Sequence, residues 1–290
     1  MGGPERAQKD LGVEPKPVES KSEKDYEGNL TALADGGCDM VVAVGINMET
    51  ALKTVAPKYP NVKFAIVDGS GEGANVRSLR FKEEEGSFLA GYLAGLMTKT
   101  NKIGFVGGME IPLIKRFQCG YEAGAKTANP ACVLLPPKYT GDWNNNDLAK
   151  TAATVLFTEG GADIVYHAAG RAGLGVIAAA GEQKKYAIGV DSDQDYLAEG
   201  FVLTSMIKRV DEAVYQTIKD LQGGSFAAGE KVYDLAANGV GLSDMKFTKD
   251  KIGADNLKKL DEIKAKIVSG EIKVPAKPED LATYLANVKK

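Results

Sequence analysis

Asp191-Ser-Asp193-Gln194 directly follows the apolar run Tyr186-Ala-Ile-Gly-Val190, and Lys208 directly follows a second run, Val202-Leu-Thr-Ser-Met-Ile207. A carboxylate and an ammonium at adjacent strand ends suit a vicinal diol, the Asp accepting from the hydroxyls and the Lys donating to them. The same two residues could instead form a structural ion pair where the chain crosses between lobes. Glu110, after Gly107-Gly108-Met109, precedes a helix. Its carboxylate could accept two hydrogen bonds from a base edge or a ribose, or simply complement the helix dipole. Asn47, after Gly45-Ile46, carries both a donor and an acceptor and could meet a ligand or cap the next helix. The stretch Ala169-Gly170-Arg-Ala-Gly173-Leu-Gly175-Val-Ile177 resembles a phosphate-cradling turn but has no Lys-Ser/Thr at the P-loop positions. It reads as a loop in which backbone at Gly170 approaches a ligand closely and Ile177 offers an apolar contact. Asp68, at the end of Lys63-Phe-Ala-Ile-Val67, fits a turn better than a contact because glycines flank it.

Other chemistries are poorly supplied. His167 is the only histidine, which argues against Ser-His-Asp, Cys-His and His-metal sites. The three cysteines, Cys38, Cys119 and Cys132, have no metal-ligand spacing and read as small buried apolar residues. No metal or cofactor is expected. The net charge of −3 comes from interspersed signs, with no basic stripe, so nucleic acid is not an expected partner. No apolar run approaches the roughly 20 residues that cross a bilayer. The start, MGGPERAQKD, has no apolar signal core, and the expectation is that an export signal has been removed or that the natural start is missing.

The elements that position these residues follow from periodicity. Val- and Ile-rich runs at 40–45, 63–68, 103–107, 163–166 and 186–191 predict buried parallel strands. Helical patterns are predicted at about 23–36 after a Ser22 cap, 48–58, 83–99, 114–128, 145–160, 174–184 and 210–222. The alternation occurs twice, which predicts two doubly wound α/β lobes whose strand ends could hold a ligand. The expected division is 1–101 with 209–230 for lobe one, 102–208 with 231–247 for lobe two, and a helical tail at 248–290. In that tail Leu257, Leu260, Ile263 and Ile267 share one helical face.

The strings VESKSEKDYEGNL, MVVAVG, YPNVKFAIVD, FKEEEGSFLAGYLAGLMTKTNKIGFVGGMEIPLIKRF, AAGRAGLGV, YAIGVDSDQDYL, VLTSMIKRVDEAVY and SGEIKVP occur in order across nearly the whole chain. Together they resemble the basic-membrane-protein family, which includes purine-nucleoside receptor lipoproteins of bacterial ABC uptake systems. The resemblance implies a type I periplasmic-binding-protein fold, two parallel-sheet lobes with hinge crossovers, and a nucleoside held between them. It implies ribose contacts from Asp191 and Lys208 and a polar contact from Glu110, where many members carry Asp. One of two base-stacking aromatics of the family corresponds to Ile177, which lowers the stacking expected there by roughly 1–3 kcal/mol. It also implies an extracytoplasmic, periplasmic or lipid-anchored location in the full-length protein, an ABC permease as partner, and a monomer.

The family begins with a strand and a loop carrying Asp and Asn, then a first helix. This chain begins within what resembles that helix, Pro4 to Gly12, so the first strand of lobe one is expected to be missing and nucleoside binding weakened. The segment Val13-Glu-Pro15-Lys-Pro17 carries two prolines and suits an edge strand, not a central one. Two other functions compete with transport. A ligand-sensing regulator could use the same fold. A nucleoside-processing enzyme could use Glu110, Asp191 and Lys208 as acid-base groups, although Asp191-Ser-Asp193 is too thin a cluster for a metal-dependent hydrolase.

Overall fold

The computed structural model describes residues 2–288. In chain order its elements are α1 Gly3–Leu11, α2 Tyr26–Asp35, β1 Met40–Val44, α3 Glu49–Val55, β2 Lys63–Val67, β3 Val76–Phe81 and α4 Glu83–Met97, followed by β4 Lys102–Gly107, α5 Pro112–Ala128, β5 Val133–Leu134, β6 Lys138–Tyr139 and α6 Asn146–Thr158. Then come β7 Ile164–Ala168, α7 Leu174–Gln183, β8 Tyr186–Asp191, β9 Val202–Lys208, α8 Val210–Gln222, β10 Gly229–Tyr233, β11 Val240–Leu242, α9 Lys249–Ile252, α10 Ala254–Val268 and α11 Pro278–Val288. Local chemistry explains the boundaries. The Ser22 backbone N–H donates to the Asp25 carboxylate at 2.9 Å, starting a short 3₁₀ turn that leads into α2. Asn145 accepts from the N–H groups of Asp147 and Leu148 at the start of α6.

The chain forms two compact units, one of residues up to Phe81 with Arg209–Tyr233, the other Lys82–Lys208 with Asp234 onward. The first unit has a four-stranded sheet in the order β1-β2-β3-β10, all parallel. Leu30, Val41, Ala43, Leu52, Phe64 and Ile66 make its core against α2 and α3. The helices α1 and α8 pack together, with the Arg6 guanidinium 3.6 Å from the Tyr215 ring centroid and 2.6 Å from Glu212. The residues 13–20 form no strand.

The second unit has a seven-stranded sheet in the order β11-β9-β8-β7-β4-β5, with β6 also pairing β4. All pairs are parallel except β11 with β9. Phe105, Tyr121 and Tyr166 pack together in its core in tilted and edge-to-face arrangements, with centroids 5.1 to 6.4 Å apart. The buried Tyr166 hydroxyl lies 3.1 Å from Ser87 Oγ, which satisfies a polar tip that would otherwise be costly to bury. In the tail, Leu260, Ile263 and Ile267 are buried, as their spacing predicts.

The observed division differs from the one read from the sequence. The α4 helix belongs with the second unit, so the chain first crosses at Phe81–Lys82, not near residue 101, and it crosses last after Tyr233, because β10 pairs with β3. Glycine explains the α4 placement. A Cβ on Gly91 would fall 1.9 Å from the Tyr121 carbonyl oxygen, and one on Gly120 would fall 2.1 Å from that of Glu84. The backbones of α4 and α5 therefore touch, which fastens α4 to this unit. The strand β3 is also absent from the sequence-based set. It contains Arg77, which is 4% exposed and reaches Asp220 of α8 and the Ala227 carbonyl.

Cys119 and Cys132 are buried and Cys38 is partly exposed; all three are free thiols. Burial pushes the Cys119 thiol up to about 12 and the Cys132 thiol up to about 11. A thiol reagent at neutral pH should therefore modify Cys38 alone in the native protein and all three after denaturation. Peptide mapping of the labelled protein checks this; native labelling of Cys119 or Cys132 would contradict the packing around them.

Candidate functional site

In a parallel sheet the strands deliver their carboxyl ends to one edge, where ligands of such folds bind. In the second unit, β8 ends at Asp191 and the neighbouring β9 ends at Lys208. Asp191 has φ 67°, a left-handed conformation that a non-glycine residue rarely adopts. Asp tolerates it better than most residues, and here it turns the carboxylate toward β9. Lys208 Nζ lies 3.3 Å from Asp191 Oδ1 and 5.7 Å from the Phe117 ring centroid. Lys208 is only 8% exposed, whereas the Asp191 side chain is 48% exposed. The ammonium is thus held by its surroundings, and the carboxylate can still reach a second partner.

A buried polar network fixes the loop behind Asp191. Gln194 Oε1 accepts from the Val190 N–H at 2.9 Å and lies 3.0 Å from His167 Nε2. The Gln194 N–H donates to Ser205 Oγ at 3.0 Å. Ser205 and Ser243 each donate to the Asp195 carboxylate at 2.7 Å. These bonds tie the segment after β8 to β7, to β9 and to Ser243 just beyond β11, which leaves Asp191 little freedom. Burial lowers the His167 imidazole to about 4, the Gln194 contact and the Asp191 charge opposing that shift. His167 is therefore a neutral, fully buried member of this network. It was read from the sequence only as a residue too isolated for catalysis. Burial also raises the Asp195 carboxyl, with its two serine partners opposing.

The other candidate residues separate. Glu110 follows β4 in the same unit, with its side chain 63% exposed and paired to Lys115 Nζ at 2.8 Å. Lys115 in turn donates to the Tyr139 hydroxyl at 2.8 Å. Gly170 follows β7 with φ 56°, starting the short 3₁₀ turn that leads into α7. Ile177 is corrected: it is 2% exposed and belongs to the apolar core with Ala153, Val176 and Ala180, so its side chain has no surface to offer. Its helical position turns it toward the sheet. Asn47 lies in the first unit, where its amide donates to Glu23 at 3.1 Å and caps no helix.

One aromatic at these strand ends was missed by the sequence reading. The Trp143 ring lies against Gly108, where an added Cβ would fall 2.5 Å from Cε3 and Cζ3, and beside Gly170, at 3.5 Å from Cε3 by the same measure. The Trp143 carbonyl accepts from the Ala172 N–H at 2.8 Å. No periodic pattern marks a loop tryptophan; only the paired glycines across the sheet hint at a seat for it. Among the described residues no group of three or more His, Cys, Asp or Glu side chains could hold a metal ion. Likewise, none of their helices is long and apolar enough to cross a membrane.

Two parallel-sheet α/β units joined by three chain crossings, with polar side chains at strand ends, define the class: a solute-binding protein of the type I periplasmic-binding fold. Known structures agree. A solute-binding protein of an ABC transporter system from Aeropyrum pernix superposes with a TM-score of 0.87 at 29% identity, covering 99% of this chain and 91% of that one. A family model described as ABC transporter substrate-binding protein, PnrA-like, matches residues 2–278. The CD4+ T-cell-stimulating antigen of Listeria monocytogenes is 39% identical over 90% of this chain and 77% of that protein. Basic membrane protein A of Borreliella burgdorferi is 34% identical over 92% of this chain and 80% of that protein. The chain belongs to the basic-membrane-protein family of ABC-transporter substrate-binding proteins. Membership brings with it a small-molecule solute and a membrane permease as partners.

Proposed function

We propose that the solute is a nucleoside with a purine base, delivered to an ABC permease from a monomeric, lipid-anchored, extracytoplasmic receptor. In this reading Asp191 accepts from the ribose hydroxyls, Lys208 donates to them, and Glu110 and the Gly170 backbone make further polar contacts. The observation that carries the reading is the Asp191–Lys208 pair, 3.3 Å apart at neighbouring strand ends, with the carboxylate half exposed. A cis diol matches an acceptor and a donor set side by side. Lys208 is largely desolvated, so its hydrogen bond to a hydroxyl gains strength from the low local dielectric.

The test is calorimetric titration with inosine, guanosine, adenosine and 2′,3′-dideoxyinosine. The ribonucleosides should bind, and loss of the diol should weaken binding about 10- to 100-fold, as expected for hydrogen bonds to charged groups. Asp191→Asn and Lys208→Met should each weaken inosine by a similar factor of about 10 to 100. Equal affinity for inosine and its dideoxy analogue would remove the diol role from this pair. Heat from simple sugars but from no nucleoside would move the solute to another class.

A further inference from the structure

We infer that Lys115 is a positioning residue of the solute site: it holds the Glu110 carboxylate so that one oxygen is kept as an acceptor for an N–H or O–H donor of the solute. The inference rests on the nucleoside reading, in which Glu110 touches the solute, and adds the residue that sets how it does so. It starts from a charge in an unfavourable place. Lys115 lies in the first turn of α5, which carries no acidic residue. A cation there opposes the helix dipole. The neighbouring cation, Arg116, is explained by packing, because its Nε donates at 2.8 Å to Glu83, a fully buried carboxylate of α4. Lys115 pairs instead with Glu110, on the loop after β4, whose side chain is mostly exposed. An exposed ion pair adds little to stability, so stability does not account for this one.

The ammonium has three protons, and each has an acceptor: Glu110 Oε1 at 2.8 Å, the Tyr139 hydroxyl at 2.8 Å and Gln118 Oε1 at 3.4 Å. The two neutral acceptors are themselves fixed. Tyr139 pairs with Gly107 where β6 meets β4, and its ring lies so close that a Cβ on Gly107 would fall 2.7 Å from Cδ1 and Cε1. The Tyr139 hydroxyl donates to Gln118 Oε1, and Gln118 Nε2 donates to Glu122 Oε1 at 2.7 Å. Gln118 is buried. The ammonium therefore has a set position, and Glu110 Oε1 takes its place from it. The Glu110 backbone is set separately. The Ile111 N–H donates to the Met109 carbonyl at 3.0 Å, closing a three-residue turn around Glu110, and Pro112 then opens α5. With the backbone and Oε1 both held, Oε2 is left for the solute in a defined place. An acceptor placed before binding loses less conformational freedom when the solute arrives.

The experiment is a double-mutant cycle read by calorimetric titration with inosine. Glu110→Gln should weaken inosine about 10- to 100-fold, as expected for a lost hydrogen bond to a charged group. Lys115→Met should weaken it about 3- to 30-fold, within the coupling range of residues joined in one network. Lys115→Arg, which keeps a cation with several donors, should recover most of that loss. A role through Glu110 has a signature that a merely structural role lacks: in the Glu110→Gln background, Lys115→Met should change the affinity by less than about 2-fold. Full affinity in Lys115→Met beside a weakened Glu110→Gln overturns the inference and leaves the nucleoside reading standing. An equal loss from Lys115→Met in both backgrounds also overturns it, because the lysine then acts without Glu110. Full affinity in Glu110→Gln, with Asp191→Asn weakened, overturns the inference and the Glu110 contact while the diol contact stands. Absence of inosine heat in the native protein overturns the nucleoside reading and the inference together.

Discussion

Followed by NMR from pH 8 downward, the single imidazole of this protein should show no protonation step until the pH approaches 4. His167 is fully buried, and burial is the main cause of its lowered value. Its ordinary value is 6.5, which the unfolded chain recovers. The folded value lies below the unfolded one, so between them the unfolded state binds the extra proton and stability falls as the pH falls. Above about pH 6.5 the effect vanishes, and below about pH 4 it is complete. The full difference corresponds to about 3 kcal/mol, of which about 2 kcal/mol falls between pH 7 and pH 5. The carboxyls of Glu84, Glu122 and Asp195 are raised by burial and act in the opposite sense, stabilising the fold as the pH drops. The comparison that isolates His167 is therefore urea unfolding of the native protein and of His167→Gln at both pH values. The glutamine can still donate to Gln194, and the variant should lose about 2 kcal/mol less on acidification than the native protein. An imidazole midpoint near 6.5 would mean that the network behind Asp191 is open to water.

Gly120→Ala and Gly91→Ala should each destabilise the second unit by about 3 kcal/mol or more, near the upper end for overpacked cores. In an isolated helix either change would be favourable by roughly 1 kcal/mol, because alanine is the better helix former. Here the added methyl meets backbone carbonyls at 2.1 and 1.9 Å, and a backbone in a 17- or 15-residue helix cannot yield locally. The two helices must separate, which loosens the packing of Phe88 and Tyr121 beneath them. Gly28→Ala in α2 is the matched control, since a Cβ there meets nothing within 4 Å. It should stabilise by about 0.5–1 kcal/mol. Denaturant midpoints of the three variants decide the matter. Unchanged midpoints for Gly91→Ala and Gly120→Ala would show that α4 and α5 do not touch through their backbones.

The amino-acid sequence alone determined most of the strand–helix alternation, the two-unit organisation and the location of Asp191 and Lys208 at strand ends. Those features are local. A continuous Val/Ile run that ends in Asp is visible without any partner, and period-3.6 patterns such as Leu260, Ile263 and Ile267 name their own buried face. The tertiary structure decided what depends on distant neighbours. Arg77 and Arg80 made β3 look polar, and Arg77 is tolerated in a buried strand only because Asp220 arrives from 143 residues away. The assignment of α4 to the second unit rests on glycines whose use is apparent only when another backbone lies against them. The same holds at the candidate site. Ile177 and Trp143 are both apolar residues near glycine-rich turns, and nothing local says which is buried. Folding of α7 onto its sheet buries Ile177, while the loop after β6 leaves Trp143 lying on Gly108 and Gly170, because burial is a property of the assembled layers and not of a residue's type.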